Sequence, residues 1–360
     1  MSKSKKRVLL APLNWGLGHV TRSVPLIQAL ERSGVEVVLA SDGDALHLLR
    51  AEFPHLAAEA LPSYKIRYAG ANMVRNIAVQ LPRILYAVRA EYSATAQLVR
   101  KYQLDGIISD NRYGCFSTDV PSVLLTHQLY LKVPTPGLEW MANGVLRLAL
   151  RKFDQIWVPD IAEKNGSLSG ELSHGEKTVH RAVSYIGPLS RMQPAREEDF
   201  SYDVAIVLSG PEPQRTVLEQ KLLEQALEMP YNCILVQGKT AEKQHYFAAD
   251  HVEVVSFLTA GDLQEVLNAS RYVVCRSGYS SLMDLAVLGK KALLIPTPGQ
   301  TEQEYLARHF AEENIFPCQQ QDRIQLEAGL KLLESYNGLV PEHFSTNAFE
   351  PLLENWVAQL

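Results

Sequence analysis

The sequence predicts an α/β protein built from two doubly wound, Rossmann-like domains. Three observations carry this. Short apolar runs rich in Val, Ile and Leu recur along the whole chain, as parallel strands buried on both faces require. Helical patterns stand between them, which is the rhythm of βαβ units. That rhythm stops and restarts around Gly187-Pro188-Leu189-Ser190-Arg191, the start of a proline- and charge-rich stretch reaching Asp199, and 360 residues suffice for two domains. The expected division is an N-terminal domain (1–190), a linker (191–200), a C-terminal domain (201–340) and a tail (341–360). Within the tail, Asn347–Leu360 has the pattern of an amphipathic helix, and the sequence permits it to cross back onto the first domain.

Val8–Pro12 reads as the first strand. The loop after it holds Gly16, Gly18 and His19, and apolar residues at Val20, Val24, Leu26, Ile27 and Leu30 mark a helix ended by Gly34. Val35–Ala40 is the second strand, and Asp42-Gly43-Asp44 turns the chain. Gly16-Leu17-Gly18 with Asp42 further on has the outline of a dinucleotide fingerprint. Thr21 occupies its third glycine position and His19 stands at the helix mouth, so NAD binding is disfavoured.

Between Ser63 and Arg89, five bases (Lys65, Arg67, Arg75, Arg83, Arg89) stand among apolar and aromatic residues, with no acid before Glu91. This stretch is either a solvated helical face or a contact for an acceptor or an anionic membrane surface. Strands follow at Leu104–Ile108 and Pro121–Leu125, ending in Ser109-Asp110-Asn111-Arg112 and Thr126-His127-Gln128. Phe153–Val158 and Val183–Ile186 complete the first domain. In the second, strands at Asp203–Leu208, Cys233–Gln237, Val252–Val255, Tyr272–Cys275 and Ala292–Ile295 alternate with helices at Thr216–Met229, Asp262–Ala269 and Ser280–Leu288.

Composition narrows the partners. A net charge of −5 argues against a nucleic-acid binder that works by neutralising phosphates. The four cysteines lie far apart without CxxC or Cys/His spacing, which argues against a zinc site or disulfide framework and suits a reducing compartment. The apolar run behind the N-terminal lysines ends by Leu13, too short for a signal segment, and no window approaches a membrane span. The expectation is a cytoplasmic protein, with the inner face of the membrane as a further contact.

Val254-Val255-Ser256-Phe257-Leu258, Ala269-Ser270 and Val274-Cys275-Arg276-Ser277-Gly278, with Asp284 eight positions after Arg276, together resemble the donor pocket of the inverting GT-B glycosyltransferases. The nearest likeness is to the bacterial peptidoglycan UDP-N-acetylglucosaminyltransferases, and Asn14–Arg22 resembles their first glycine loop. The resemblance implies two Rossmann-like domains facing a cleft, the acceptor on the first and the nucleotide-sugar donor on the second. It implies metal-independent transfer of a sugar from a nucleoside diphosphate, UDP, to an acceptor hydroxyl.

It also implies roles. The backbone at Phe257 and Leu258 meets the uracil edge, with the Phe257 side chain in the core. Asp284 accepts from the ribose hydroxyls. The helix N-terminus at Ser277 and Gly278, the loop at Ser209 and Gly210 and a base such as Arg215 face the diphosphate, and Arg276, Gly16 and Gly18 belong to the donor side. Glu302 and Gln303 bind the sugar hydroxyls. His19 is the general base and Asp110 holds its imidazole. The chain departs from the pattern at Pro211 and Pro213, which remove backbone donors, and at Asp284, shorter than the usual glutamate. The alternatives are a nucleotide-sugar 2-epimerase and a sugar-nucleotide-binding protein without turnover.

Overall fold

The structure is a computed structural model that describes residues 5–16, 18–64, 73–133, 135–175, 179–180, 182–195, 199–239 and 244–360. Two compact units emerge, Met1–Arg191 with Ser345–Leu360, and Met192–Phe344. In the first, β1 (Arg7–Pro12), α1 (Gly18–Arg32), β2 (Glu36–Ser41), α2 (Gly43–Glu52), β3 (Ala57–Ala60), α3 (Met73–Tyr102), β4 (Gly106–Asp110), β5 (Ser122–Leu125), α4 (Pro136–Leu150), β6 (Gln155–Val158) and β7 (Val183–Tyr185) follow in order.

All seven strands pair in parallel, in the order β3-β2-β1-β4-β5-β6-β7. Val8, Leu9, Leu10 and Ala11 are buried on both faces, which is why the run lacks alternation. From β1 the chain winds one way to β2 and β3, then resumes at β4 on the other side. The switch point therefore lies between β1 and β4, where Pro12 is the register partner of Asp110.

The second unit repeats the scheme with β8 (Tyr202–Val207), α5 (Gln214–Glu228), β9 (Cys233–Val236), β10 (His245–Ala249), β11 (Val252–Val255), α6 (Ala260–Asn268), β12 (Ser270–Cys275), α7 (Tyr279–Leu288), β13 (Lys291–Leu294), α8 (Thr301–Glu312) and α9 (Leu326–Leu332). Its strand order is β10-β11-β9-β8-β12-β13, so its switch point lies between β8 and β12. Val207 there is the partner of Cys275.

The last helix, α10 (Glu350–Gln359), belongs to the first unit. Trp356 packs edge-on against Trp157 at 5.7 Å between ring centroids. A Cβ at Gly106 would come within 2.8 Å of the same indole, so that glycine permits the docking.

Two strands escape the sequence reading. β3 (AAEA) has no β-branched residue to mark it, and β10 is an exposed edge strand that runs antiparallel to β11. Of the basic stretch, Lys65 and Arg67 lie outside the described residues, as does the side chain of Arg75. Arg83 and Arg89 sit exposed on α3.

Candidate functional site at the two switch points

At the first switch point the loop leaving β1 is anchored by the Leu13 N–H, which donates to the Asp110 carbonyl at 3.0 Å. Gly16 makes the turn with φ of +76°, a left-handed conformation that costs a glycine little. α1 then starts at Gly18, so His19 stands in its first turn. The His19 imidazole Nδ1 lies 2.9 Å from Asp110 Oδ1. Its side chain is 14% exposed and that of Asp110 is 1% exposed.

A third residue joins them that the sequence reading missed. Arg22, one helical turn beyond His19, donates from Nε to Asp110 Oδ2 at 2.8 Å and from Nη2 to Asp110 Oδ1. Its i+3 spacing from His19 was the available signal. Burial alone would push the Asp110 carboxyl up, but the Arg22 charge, then His19, bring it down to about 2. For His19, burial is the largest influence and lowers the pKa. Asp110 pulls it back up, while Arg22 and the nearby His127 lower it.

A buried ionic network holds the neighbouring loops. Arg112 donates from Nη1 to Asp42 Oδ1 at 2.7 Å and from Nε to Glu91 Oε1 at 2.5 Å. Glu91 Oε2 accepts from the Tyr64 hydroxyl at 2.6 Å and from the Gly114 N–H at 2.8 Å. Asp42, the acid of the dinucleotide-like outline, is thus committed to Arg112 rather than presented to a ribose.

At the second switch point, Ser209 and Gly210 follow β8 on the surface, while Arg276 and Ser277 follow β12 and are buried. Among the described residues, all the bonds of the Arg276 guanidinium go to neutral oxygens, namely the carbonyls of Ile295, Pro296 and Gln214 and the side-chain oxygen of Gln321. Desolvation alone lowers its pKa to about 10, which leaves it cationic at neutral pH. Its Nε and the Thr297 hydroxyl are buried without a hydrogen-bond partner among the described residues. Both converge on Gly210, where a Cβ would lie 3.4 Å from Thr297 Oγ1 and 3.9 Å from Arg276 Nε.

Gly278 caps α7 in extended conformation. Asp284 lies half-buried on that helix, close enough to Cys275 for its charge to reinforce burial in pushing that thiol up to about 12. The loop into α8 is held by Gln303 Oε1, accepting from the Thr297 N–H at 2.8 Å, and by Glu304 Oε1, accepting from the Gly299 N–H at 2.8 Å. Glu302 is half-buried in the first turn of α8.

Two of the expected site residues have side chains bonded within the protein, and the expectation for a third, Phe257, needs correction. Arg215 is paired with Glu212 and, at 3.1 Å, with Glu219, and it donates to the Gln237 carbonyl, so its charge is already neutralised within the protein. The Ser277 hydroxyl donates to the Gln303 carbonyl at 2.8 Å, which leaves the backbone rather than the side chain to meet a ligand. The Phe257 side chain is 36% exposed and stands outside the core. It lies with Leu258 between the end of β11 and the Thr259–Asp262 capping box of α6, where the chain turns sharply. Among the described residues, no group of three or more His, Cys, Asp or Glu side chains could hold a metal ion.

Residues 213–339 match the Glycosyltransferase family 28 C-terminal domain. An uncharacterized glycosyltransferase of Methanopyrus kandleri is 20% identical over 309 residues, covering 79% of this chain and 84% of that protein. A UDP-N-acetylglucosamine–N-acetylmuramyl-(pentapeptide) pyrophosphoryl-undecaprenol N-acetylglucosamine transferase of Methylobacterium sp. (strain 4-46) is 26% identical over 354 residues, covering 92% and 89%. The solved structure of the glycosyltransferase SnogD from Streptomyces nogalater superposes with a TM-score of 0.65 at 16% identity, covering 99% of this chain and 100% of that one. Two doubly wound units and these matches define a glycosyltransferase of GT-B fold. Within that class the chain resembles the peptidoglycan N-acetylglucosaminyltransferases.

Proposed function

We propose that the protein transfers a sugar from a nucleoside diphosphate, with UDP as the nucleotide, to an acceptor hydroxyl, with inversion at the anomeric carbon and without a metal ion. Arg276 carries the reading. A buried guanidinium bonded only to neutral oxygens is an expensive charge, and a bound diphosphate offsets that cost. α7 begins just beyond Arg276, so the N–H groups of its first turn add partial positive charge in the same place. Together these groups stabilise charge on the departing UDP, a task a divalent cation performs in other enzymes. Asp284 is the ribose ligand, and Glu302 and Gln303 are the sugar ligands. With its Oε1 turned to the Thr297 N–H, Gln303 keeps its amide N–H₂ as a donor to a sugar hydroxyl. The relative named for UDP-N-acetylglucosamine supports uridine as the base.

His19 is the general base of this reading. With Nδ1–H donated to Asp110, Nε2 takes the proton of the acceptor hydroxyl while that oxygen attacks the anomeric carbon. The bond to the diphosphate breaks as the new bond forms, which inverts the carbon. The proton ends on His19 and the electron pair on UDP.

Incubation with UDP-sugars and candidate acceptor alcohols, with and without EDTA, tests the reading. Release of UDP that requires acceptor, persists in EDTA and gives a product of inverted anomeric configuration supports it. Formation of the 2-epimer of the donor points to an epimerase instead. Binding without turnover points to a sugar-nucleotide-binding protein.

A peripheral membrane contact is part of the same proposal, and α4 supports it more directly than the basic stretch on α3. Leu138, Met141, Val145 and Leu148 recur at helical spacing on α4, all exposed, with Trp140 72% exposed beside them. On the opposite side of the helix Leu146 and Leu150 enter the core. An uncovered apolar stripe with Arg147, Arg151 and Lys152 at its C-terminal end suits an anionic interface and a lipid-linked acceptor. Among the described residues, no helix is long and apolar enough to cross a membrane.

A further inference from the structure

We propose that Arg22 is the positioning residue of the His19–Asp110 pair: its guanidinium fork fixes the carboxylate, and its Nη2 competes with that carboxylate for His19 Nδ1. Arg22 thereby governs which imidazole nitrogen carries the proton. The inference rests on the reading of His19 as base and adds a control on that base.

The geometry is specific. Both Asp110 oxygens accept from Arg22, Oδ2 from Nε and Oδ1 from Nη2. His19 Nδ1 lies 2.9 Å from Asp110 Oδ1 and also 2.9 Å from Arg22 Nη2. A guanidinium only donates and a carboxylate only accepts. With a proton on Nδ1 the ring donates to Asp110, and Nε2 presents a lone pair able to take a proton. Without one, Nδ1 accepts from Arg22, and Nε2 carries the hydrogen and can only donate. An Asp–His pair alone would hold a single tautomer. The third member supplies the other.

Arg22 also places a permanent positive charge beside the imidazole, which disfavours the imidazolium. The charged and titratable groups around the ring are Asp110 at the end of β4, Arg22 on α1 and His127 beyond β5. Of these only Asp110 favours the protonated ring. Arg22 therefore keeps the ring neutral, and so able to act as a base, at lower pH than an Asp–His pair would allow. Since Arg22 is 2% exposed and reaches Asp110 across 88 residues of sequence, it also locks α1 to β4.

Two variants separate charge from fork. Arg22→Gln removes the cation, so both the His19 titration followed by NMR and the acid limb of kcat/KM should move up by about one pH unit. Arg22→Lys keeps a point charge but loses the fork. The titration should then stay where it is in the wild type while kcat falls roughly ten- to a hundredfold and KM holds. A folded Arg22→Gln protein with unmoved titration and limb overturns the inference. Should that variant not fold, an Arg22→Lys protein with wild-type kcat overturns it. The underlying reading fails differently: turnover surviving in His19→Ala removes the base, whereas the NMR titration of His19 still reports whether Arg22 governs the ring.

Discussion

His19 and Asp110, 91 residues apart in sequence, meet at 2.9 Å across the seam between β1 and β4. The meeting follows from topology. β1 and β4 are neighbours only because the chain reverses its winding direction there, and the parallel register sets Pro12 beside Asp110. The loop that leaves Pro12 then delivers α1 with His19 in its first turn.

If His19 is the base, His19→Ala should lower turnover by roughly 10²-fold or more. UDP affinity should stay near the wild-type value, because the donor ligands lie in the other unit. Steady-state kinetics paired with calorimetry checks both halves, and unchanged turnover sinks the assignment.

Asp284→Ala should weaken UDP binding by roughly tenfold, the size expected for a charge-assisted hydrogen bond to ribose. Calorimetry showing equal affinity in the variant would mean that the carboxylate does not touch the nucleotide.

Gly210→Ala should damage donor binding from the opposite direction. Gly210 has φ of +102°, and the added methyl would sit beside Thr297 Oγ1 and Arg276 Nε, over the guanidinium proposed to meet the diphosphate. A loss of UDP affinity with little change in uridine affinity is the expected pattern, readable by calorimetry with both ligands.

Asp110 also links stability to pH. Its pKa falls from 3.8 to about 2 in the folded protein, so it stabilises the fold above about pH 4, and that contribution disappears as pH drops toward 2. Asp110→Asn should be less stable at neutral pH, with Arg22 left buried beside a neutral group, and should lose less stability on acidification. Denaturant titrations at several pH values compare the two slopes.

The exposed stripe on α4 should bind anionic vesicles. Replacing Trp140 and Leu148 together by Ser should reduce sedimentation with phosphatidylglycerol vesicles without altering turnover on a water-soluble acceptor. Equal sedimentation of the variant would exclude α4 as the contact.

Much of the fold was legible because its signals are local. Buried parallel strands need continuous apolar runs, as in Val8–Ala11 and Leu293–Ile295, and the turns after β1 and β8 need Gly16 and Gly210. Asp110 could be singled out because it ends a strand where α/β sheets carry their ligands, and His19, Arg276 and Asp284 because they fall within motifs that resemble those of the GT-B glycosyltransferases.

The chain alone thus determined two doubly wound units and the strand ends at which the candidate site residues stand. Which charges are already spent was decided only by tertiary structure. Arg215 meets Glu212 and Glu219, Arg276 meets neutral oxygens alone among the described residues, and Arg22 reaches Asp110 from the next turn of α1. On α4, folding decides that Leu146 and Leu150 are covered while Trp140 and Leu148 face water. The physical reason is the same in each case. A charge or an apolar face acts according to what lies within a few ångströms of it, and those neighbours come from distant parts of the chain.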